Sequence, residues 1–471
     1  MVFSNNFFLL VFLPFFLATY FLAAKNLKNT IALIASLFFY AWGAPSFIFI
    51  LLFSLLIDFY LVELIHISEN KLKKYFLTIT VIINIAMLGY FKYANFFVAE
   101  LNSLFTGLNF KFNIEWTQVV LPIGISFITF HKLTYAIDTY RNQHVPLKSF
   151  SDYLLYILMF PHQIAGPIVR YSEIAEQIKH RDEAYHIDNY FYGAYRFVIG
   201  LSKKVLIANT LGEVANNVFA LPINDINTAT AWIGILAYTF QIYFDFSGYS
   251  DMAIGLAKLM GFTFPENFNM PYISQNITEF WRRWHITLGR FMKDYLYIPL
   301  GGNKVSKTRN FFNLWLVFLV SGLWHGASWT FVIWGAYHGF LLILDRVIFI
   351  KITSYLFKPI QTLITFILVM IGWVFFKANT IAFSLSYIGK MFVPFNSDIP
   401  VIETTTKFWF ILFIAFLICV LPMVKVYNTF LKFQKAWGTI FLKGIILILL
   451  FILCVIGINS SGFNPFIYYR F

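Results

Sequence analysis

Charge is what this 471-residue sequence has least of: Asp, Glu, Lys and Arg make up 12% of it, against about 25% in an ordinary globular domain. Hydrophobic residues account for 59% and aromatics for 21%, which excludes a water-soluble fold, because there is too little polar surface to cover so much apolar matter. Cysteine is nearly absent. Cys419 and Cys454 both lie in late apolar runs, so neither a disulfide framework nor a metal cluster is expected. No Gly-x-Ser-x-Gly elbow, P-loop or dinucleotide fingerprint stands between a strand and a helix, which disfavours soluble hydrolase and nucleotide chemistry. No internal repeat is visible, and an inverted-repeat transporter is unsupported.

What the chain does have is long apolar runs. In lipid every backbone polar group must be satisfied within helices or a closed barrel, and continuous runs rather than alternating ten-residue segments select helices. Spans are legible at 7–24, 31–43, 47–65, 75–91 and 119–137, and again at 311–323, 329–344, 363–376, 408–424 and 445–458. The expected fold is an all-α polytopic membrane protein of about eleven crossings, a single domain over 1–471. The first run lacks a basic leader and a small-residue cleavage site, so it reads as a retained span rather than a signal peptide. The net charge of +13 sits in short loops between spans, where the positive-inside rule puts it; membrane lipids, not nucleic acid, are the expected partner. Lys25 and Lys28 follow the first span, Lys71, Lys73 and Lys74 the third, and Arg141 and Lys148 the fifth, while Ala44-Pro45-Ser46 is uncharged. The N-terminus is thereby expected outside.

Between about 151 and 302 the pattern changes to shorter apolar pieces broken by Pro161, Pro167, Pro265, Pro271 and Pro299. Broken segments persist at membrane depth only inside protein or around water, so half-spanning or interfacial helices lining a cavity are expected. Residues 277–300 read as an interfacial helix, with Arg282, Arg283, Arg290 and Lys293 among Phe280, Trp281, Trp284, Phe291 and Tyr295.

Ionisable groups in lipid are costly, and each is a functional candidate. His325 leads, in Ser321-Gly322-Leu323-Trp324-His325-Gly326-Ala327, where the glycines admit another backbone or a ligand beside an imidazole in apolar surroundings. Histidine can take a proton from a hydroxyl near neutral pH, as acyl transfer to an alcohol requires; the plainer alternative is an interhelical hydrogen bond. His285, in Phe280-Trp281-Arg282-Arg283-Trp284-His285, is either a second cavity histidine or an interface anchor. Arg282, Arg283 and Lys293 suit the phosphates of a nucleotide-linked donor, or lipid head groups. Asp245 and Asp251, with Ser247 and Ser250 between them, must find partners, either at the cavity or in capping and interhelical bonds. His162 and His338 are weaker candidates that fit a structural role.

Taken together, these motifs resemble the bacterial branch of the MBOAT, or membrane-bound O-acyltransferase, family, the group that serves O-acetylation of alginate and peptidoglycan and D-alanylation of teichoic acid. The resemblance runs almost the whole length. It includes Gly89-Tyr90-Phe91-Lys92-Tyr93-Ala94-Asn95, residues 121–127 and 160–167, and most strongly residues 243–255, 279–285, 294–303 and 322–326. It implies cytoplasmic and outer funnels meeting at a thin constriction, with His325 as the family histidine and His285 as the second. Trp324 would be a supporting neighbour. It further implies acetyl-CoA as the cytoplasmic donor with no tightly bound cofactor, a bacterial inner-membrane location, and an extracytoplasmic partner that completes transfer to a glycan.

Residues 463–471, ending Tyr468-Tyr469-Arg470-Phe471, form an aromatic tail. Lys432, Lys435 and Lys443 put the start of the last span inside, so the tail should emerge outside. It resembles the terminal motif that presents a tyrosine as an acyl relay, with Tyr468 at the motif position and Tyr469 as the second choice. The chemical logic is that a phenol ester still transfers readily and divides one hard step into two; the alternative is an interfacial anchor. A transporter or flippase for acyl groups or polysaccharide precursors, and a structural scaffold, are the rival classes.

Overall fold

In a computed structural model, residues 1–110, 112–181, 187–394, 399–421, 437–460, 464, 466 and 467 are described, and these are all-helical with no strand. The N-terminal group is α1 (Leu13–Leu22), α2 (Lys28–Gly43), α3 (Ile48–Ile67), α4 (Asn70–Gly107) and α5 (Ile125–Tyr140). Short helices α6 (Phe150–Leu158) and α7 (Tyr171–Lys179) lead to α8 (Ile187–Ser202), α9 (Asn209–Ala220) and α10 (Thr228–Leu259). Then come α11 (Ile277–Arg283), α12 (Ile286–Met292), α13 (Lys307–His325), α14 (Trp329–Leu344) and the short α15 (Ile350–Thr353). The series ends with α16 (Lys358–Lys377), α17 (Ile381–Phe392), α18 (Thr406–Val420) and α19 (Trp437–Ser460).

Among the described residues, five helical stretches are long and apolar enough to cross a bilayer alone: Ile48–Ile67, Asn70–Gly107, Trp329–Thr353, Lys358–Lys377 and Phe441–Ser460. Phe8–Leu22, Ile381–Phe392 and Thr406–Val420 are shorter apolar helices. Other expected spans are 16-residue helices such as α2 and α5, about 24 Å long at 1.5 Å per residue, short of a hydrocarbon core of about 30 Å. The outer surface carries Phe15, Phe49, Phe53 and Phe441, each more than 60% exposed, as lipid-facing positions require.

Three sequence expectations are revised. The span expected at 119–137 begins only at Ile125, after Gly124 turns the chain at φ +73°. The interfacial helix expected over 277–300 is broken into α11 and α12, because His285 adopts φ +44° and Trp284 is extended. Conversely, the supposedly fragmented region contains α10, 32 uninterrupted residues. Its Gln241, Asp245, Ser247, Ser250 and Asp251 interrupt the hydropathy pattern but not the helix, because they face neighbouring protein and are buried.

α10 packs against α8 through paired glycines. A Cβ on Gly200 would stand 2.5 Å from the Gly248 carbonyl oxygen, and one on Gly193 would stand 2.8 Å from that of Gly255. Seven residues separate the two positions on each helix (200 − 193 and 255 − 248), so the antiparallel backbones meet at two levels, the small-residue contact that membrane helices use to approach closely. Two apolar cores result, one around α1 to α7 and one around α9, α14, α16 and α18.

This packing makes a signed prediction. Gly200→Ala should destabilise by about 1–3 kcal/mol through overpacking, whereas Gly89→Ala, with nothing within 4 Å of its added Cβ, should be neutral or stabilising by up to about 1 kcal/mol. Thermal unfolding of the detergent-solubilised chain measures both, and equal effects would contradict the contact.

Candidate functional site

His325 is the last residue of α13, and three features fix it. Ser306 caps the helix start by accepting the Arg309 amide. Gly322 then lets α14 come close: a Cβ there would lie 2.3 Å from the Phe331 carbonyl oxygen, so the glycines of this motif admit a backbone. Finally, the C-terminal carbonyls, which have no partner within the helix, are received by α4. Tyr93 donates its hydroxyl to the Leu323 carbonyl at 2.6 Å, and the Lys92 ammonium donates to the Trp324 carbonyl and to Ser126 Oγ at 3.3 Å. A cation at this end also meets the negative end of the helix dipole. The Lys92 ammonium additionally stands 5.6 Å from the centre of the Trp324 ring.

The His325 ring is buried, edge-on to Trp324 at 4.8 Å, Trp334 at 5.0 Å and Phe376 at 5.1 Å. Trp324 belongs to the first apolar core and Trp334 and Phe376 to the second, so this imidazole sits on the seam between them.

His285 reaches the same place from another direction. At the α11–α12 break its ring lies 6.2 Å from Trp324 and 4.7 Å from Phe246 of α10. The break is held by two backbone bonds to an irregular segment, Asn269 N–H to the Arg283 carbonyl and Ile286 N–H to the Asn267 carbonyl, both 2.9 Å. His285 Nδ1 is 3.0 Å from Asn267 Oδ1, and Nε2 is buried without a hydrogen-bond partner among the described residues. The structure thus brings His325, Trp324 and His285 together, with Trp324 touching both imidazoles.

Other expected residues lie elsewhere or have other work. Asp245 pairs with Lys204 at 2.7 Å and accepts the Ile467 amide at 2.8 Å; Asp251 pairs with Arg196 and Lys203, each at 2.6 Å. Among the described residues neither carboxylate contacts a histidine, and their ion pairs tie α8 and its continuation to α10. Arg283 is held by Glu279 at 2.8 Å and donates to the Asn269 carbonyl, whereas Arg282 and Lys293 are exposed. Tyr468 and Tyr469 lie outside the described residues. The tail before them is anchored: Phe466 stacks on Tyr249 at 4.6 Å, Tyr249 stacks on Phe3 at 4.6 Å, and Asn464 donates to the Ser4 carbonyl at 2.7 Å. His162 has its Nε2 2.8 Å from the Tyr156 carbonyl oxygen, while His338 packs among Trp281, Trp334 and Tyr337 with both ring nitrogens lacking hydrogen-bond partners among the described residues. Among the described residues no three His, Cys, Asp or Glu side chains converge as a metal-ligand group.

Lys92, Tyr93 and Asn267 were not singled out by sequence reasoning as site residues. For Lys92 a signal existed, a lone ammonium deep in an apolar span; Asn267 carried none.

The model of the family described as MBOAT, membrane-bound O-acyltransferase family, matches residues 139–388. The chain is 39% identical over 491 residues to the probable alginate O-acetylase AlgI of Pseudomonas putida, covering 100% of both. It is 44% identical over 394 residues to the protein of the same name in Pseudomonas aeruginosa, covering 83% of this chain and 75% of that one. It is 37% identical over 425 residues to the peptidoglycan O-acetyltransferase of Helicobacter pylori, covering 83% and 80%.

The helix-end clamp can be tested on stability alone. Tyr93→Phe should cost about 1 kcal/mol, and Lys92→Met about 1–3 kcal/mol by leaving the Trp324 carbonyl buried without its donor. Thermal unfolding of each variant is the measurement, and unchanged melting of both would remove the clamp.

Proposed function

The chain belongs to the membrane-bound O-acyltransferase family, and from that premise we propose that it moves an acetyl group from cytoplasmic acetyl-CoA across the membrane for O-acetylation of a cell-envelope or secreted polysaccharide, alginate-like or peptidoglycan. That it is a membrane O-acetyltransferase follows from the family and from relatives at 37–44% identity over most of the chain. This sets aside the carrier and scaffold readings. The observation that carries the mechanism is the meeting of His325 and His285 across Trp324, on a helix end clamped from α4.

In this mechanism His325 is the general base. An acceptor hydroxyl attacks the thioester carbonyl carbon and gives its proton to His325; the C–S bond breaks, and the departing thiolate takes that proton, leaving the imidazole neutral. His285 orients the acceptor. Tyr468, or Tyr469 beside it, is the first acceptor, forming a phenol ester that a second transfer passes to the glycan. The tail anchor at Asp245, one residue from Phe246, which touches His285, supports this role. Arg282 and Lys293, exposed, are available to donor phosphates; Arg283 contributes by holding the α11–α12 break. The chain resides in the bacterial inner membrane with both termini outside, a reading supported by the contact between Ser4 and Asn464. An extracytoplasmic partner acts on the glycan.

His325→Ala should abolish polymer acetylation, a loss of at least about 100-fold for a positioned base, while the protein remains monodisperse; acetylation at the wild-type level would end the mechanism. A Tyr468→Phe, Tyr469→Phe double variant should lose acetylation and the acetyl ester recoverable by mass spectrometry from the C-terminal peptide. Full activity in it would remove the relay and leave His325 in place.

A further inference from the structure

Asn267 lies between Pro265 and Pro271 in the irregular segment and is 1% exposed. Its Nδ2 stands 3.2 Å from the Gly166 carbonyl oxygen and 3.1 Å from Ser250 Oγ. On its Oδ1 converge the Thr287 amide at 3.3 Å, the Thr287 hydroxyl at 2.9 Å and His285 Nδ1 at 3.0 Å. The carboxamide has one workable orientation. Reversed, its NH2 would face the Thr287 N–H, donor to donor, and its oxygen would face the Gly166 carbonyl, acceptor to acceptor. Because Oδ1 only accepts, His285 Nδ1 must carry a hydrogen. In a neutral imidazole the other nitrogen is then a bare lone pair, and that nitrogen, Nε2, is the buried atom without a hydrogen-bond partner among the described residues.

We propose that Asn267 is a positioning residue that locks His285 in its Nδ1–H form, so that Nε2 accepts a hydrogen bond from the hydroxyl that receives the acyl group. The role rests on the acyl-transfer reading above. The hydroxyl has one hydrogen: before attack it is donated to His285 Nε2, which holds the oxygen's lone pairs toward the thioester, and on attack it turns to His325, which takes it. Three separate parts of the chain converge on the lock: the Gly166 loop, Ser250 of α10 and Thr287 of α12. Thr287 Oγ1 in turn accepts the Ile168 amide at 3.0 Å. The positive φ of His285 and the flanking Phe246 and Trp324 rings fix the direction of Nε2. The titratable groups nearby are His325 across Trp324 and Lys92 at the same indole; Asp245 is held by Lys204.

The test is the pH profile of acetyl-CoA turnover by the full-length chain in bilayers. Asn267→Asp keeps an oxygen beside Nδ1 but makes it anionic, which favours imidazolium and consumes the Nε2 lone pair as pH falls. The acid limb of kcat/KM should therefore move up by about 1 pH unit or more, with the alkaline limb unmoved. Asn267→Ala should lower kcat/KM by about 10–100-fold, the usual effect of losing a histidine's orienting partner. An acid limb superimposable on wild type in folded Asn267→Asp protein overturns the proposal. If that variant does not fold, nitrogen NMR of histidine-labelled wild-type protein decides, with His285→Gln used for assignment. Hydrogen on Nδ1 and a bare Nε2 is expected; hydrogen on Nε2 overturns it. Loss of turnover in His325→Ala alongside an unshifted Asn267→Asp profile removes only the Asn267 role, whereas full turnover in His325→Ala removes the reading beneath it.

Discussion

The site depends on how one helix ends inside protein. The last carbonyls of α13 have nowhere to bond within their own helix, and in lipid an unmet carbonyl costs several kcal/mol. α4 meets them with a phenol and an ammonium. Because the clamped carbonyls belong to Leu323 and Trp324, the residue immediately following, His325, inherits their position. The Lys92 amino group has two neutral oxygens and an aromatic face as its described partners, so its hydrogen-bond donors are spent at the seam where the two cores meet.

The second constraint is the near-contact of backbones. Glycine pairs on α8 and α10, and Gly322 against α14, remove side chains where two helices cross. Among the polar groups of α10, the carboxylates are the costliest to leave unpaired so close to a neighbouring backbone. Asp245 and Asp251 sit beside these crossings and take Lys204, Arg196 and Lys203 as partners. Breaking such a buried pair costs more than the pair itself contributes, because one charge is stranded.

Much of this was legible in the sequence. Low charge and long apolar runs gave helices in lipid, and the expense of burying an imidazole picked out His325 and, more weakly, His285. Their convergence was not legible, since 40 residues of chain (325 − 285) and a helix break lie between them. The break at His285 escaped because aromatic and cationic residues at helical spacing match an interfacial helix, whereas the αL turn is imposed by bonds to 267–269. α10 escaped for the opposite reason: its polar residues resemble interruptions until their partners on α8 and the segment after it are known. Asn267 is invisible to any one-dimensional reading, because its function consists wholly of what it touches.

The contact between the chain's two ends has a consequence for how the molecule is made. Ser4 and Asn464 are separated by 460 positions yet bonded, and Phe3, Tyr249 and Phe466 form one aromatic column. During synthesis Tyr249 is in place long before Phe466 can stack on it, and Asp245 long before it can accept the Ile467 amide. A chain cut short before residue 464 would leave the aromatic column and the Asp245 carboxylate without these C-terminal partners.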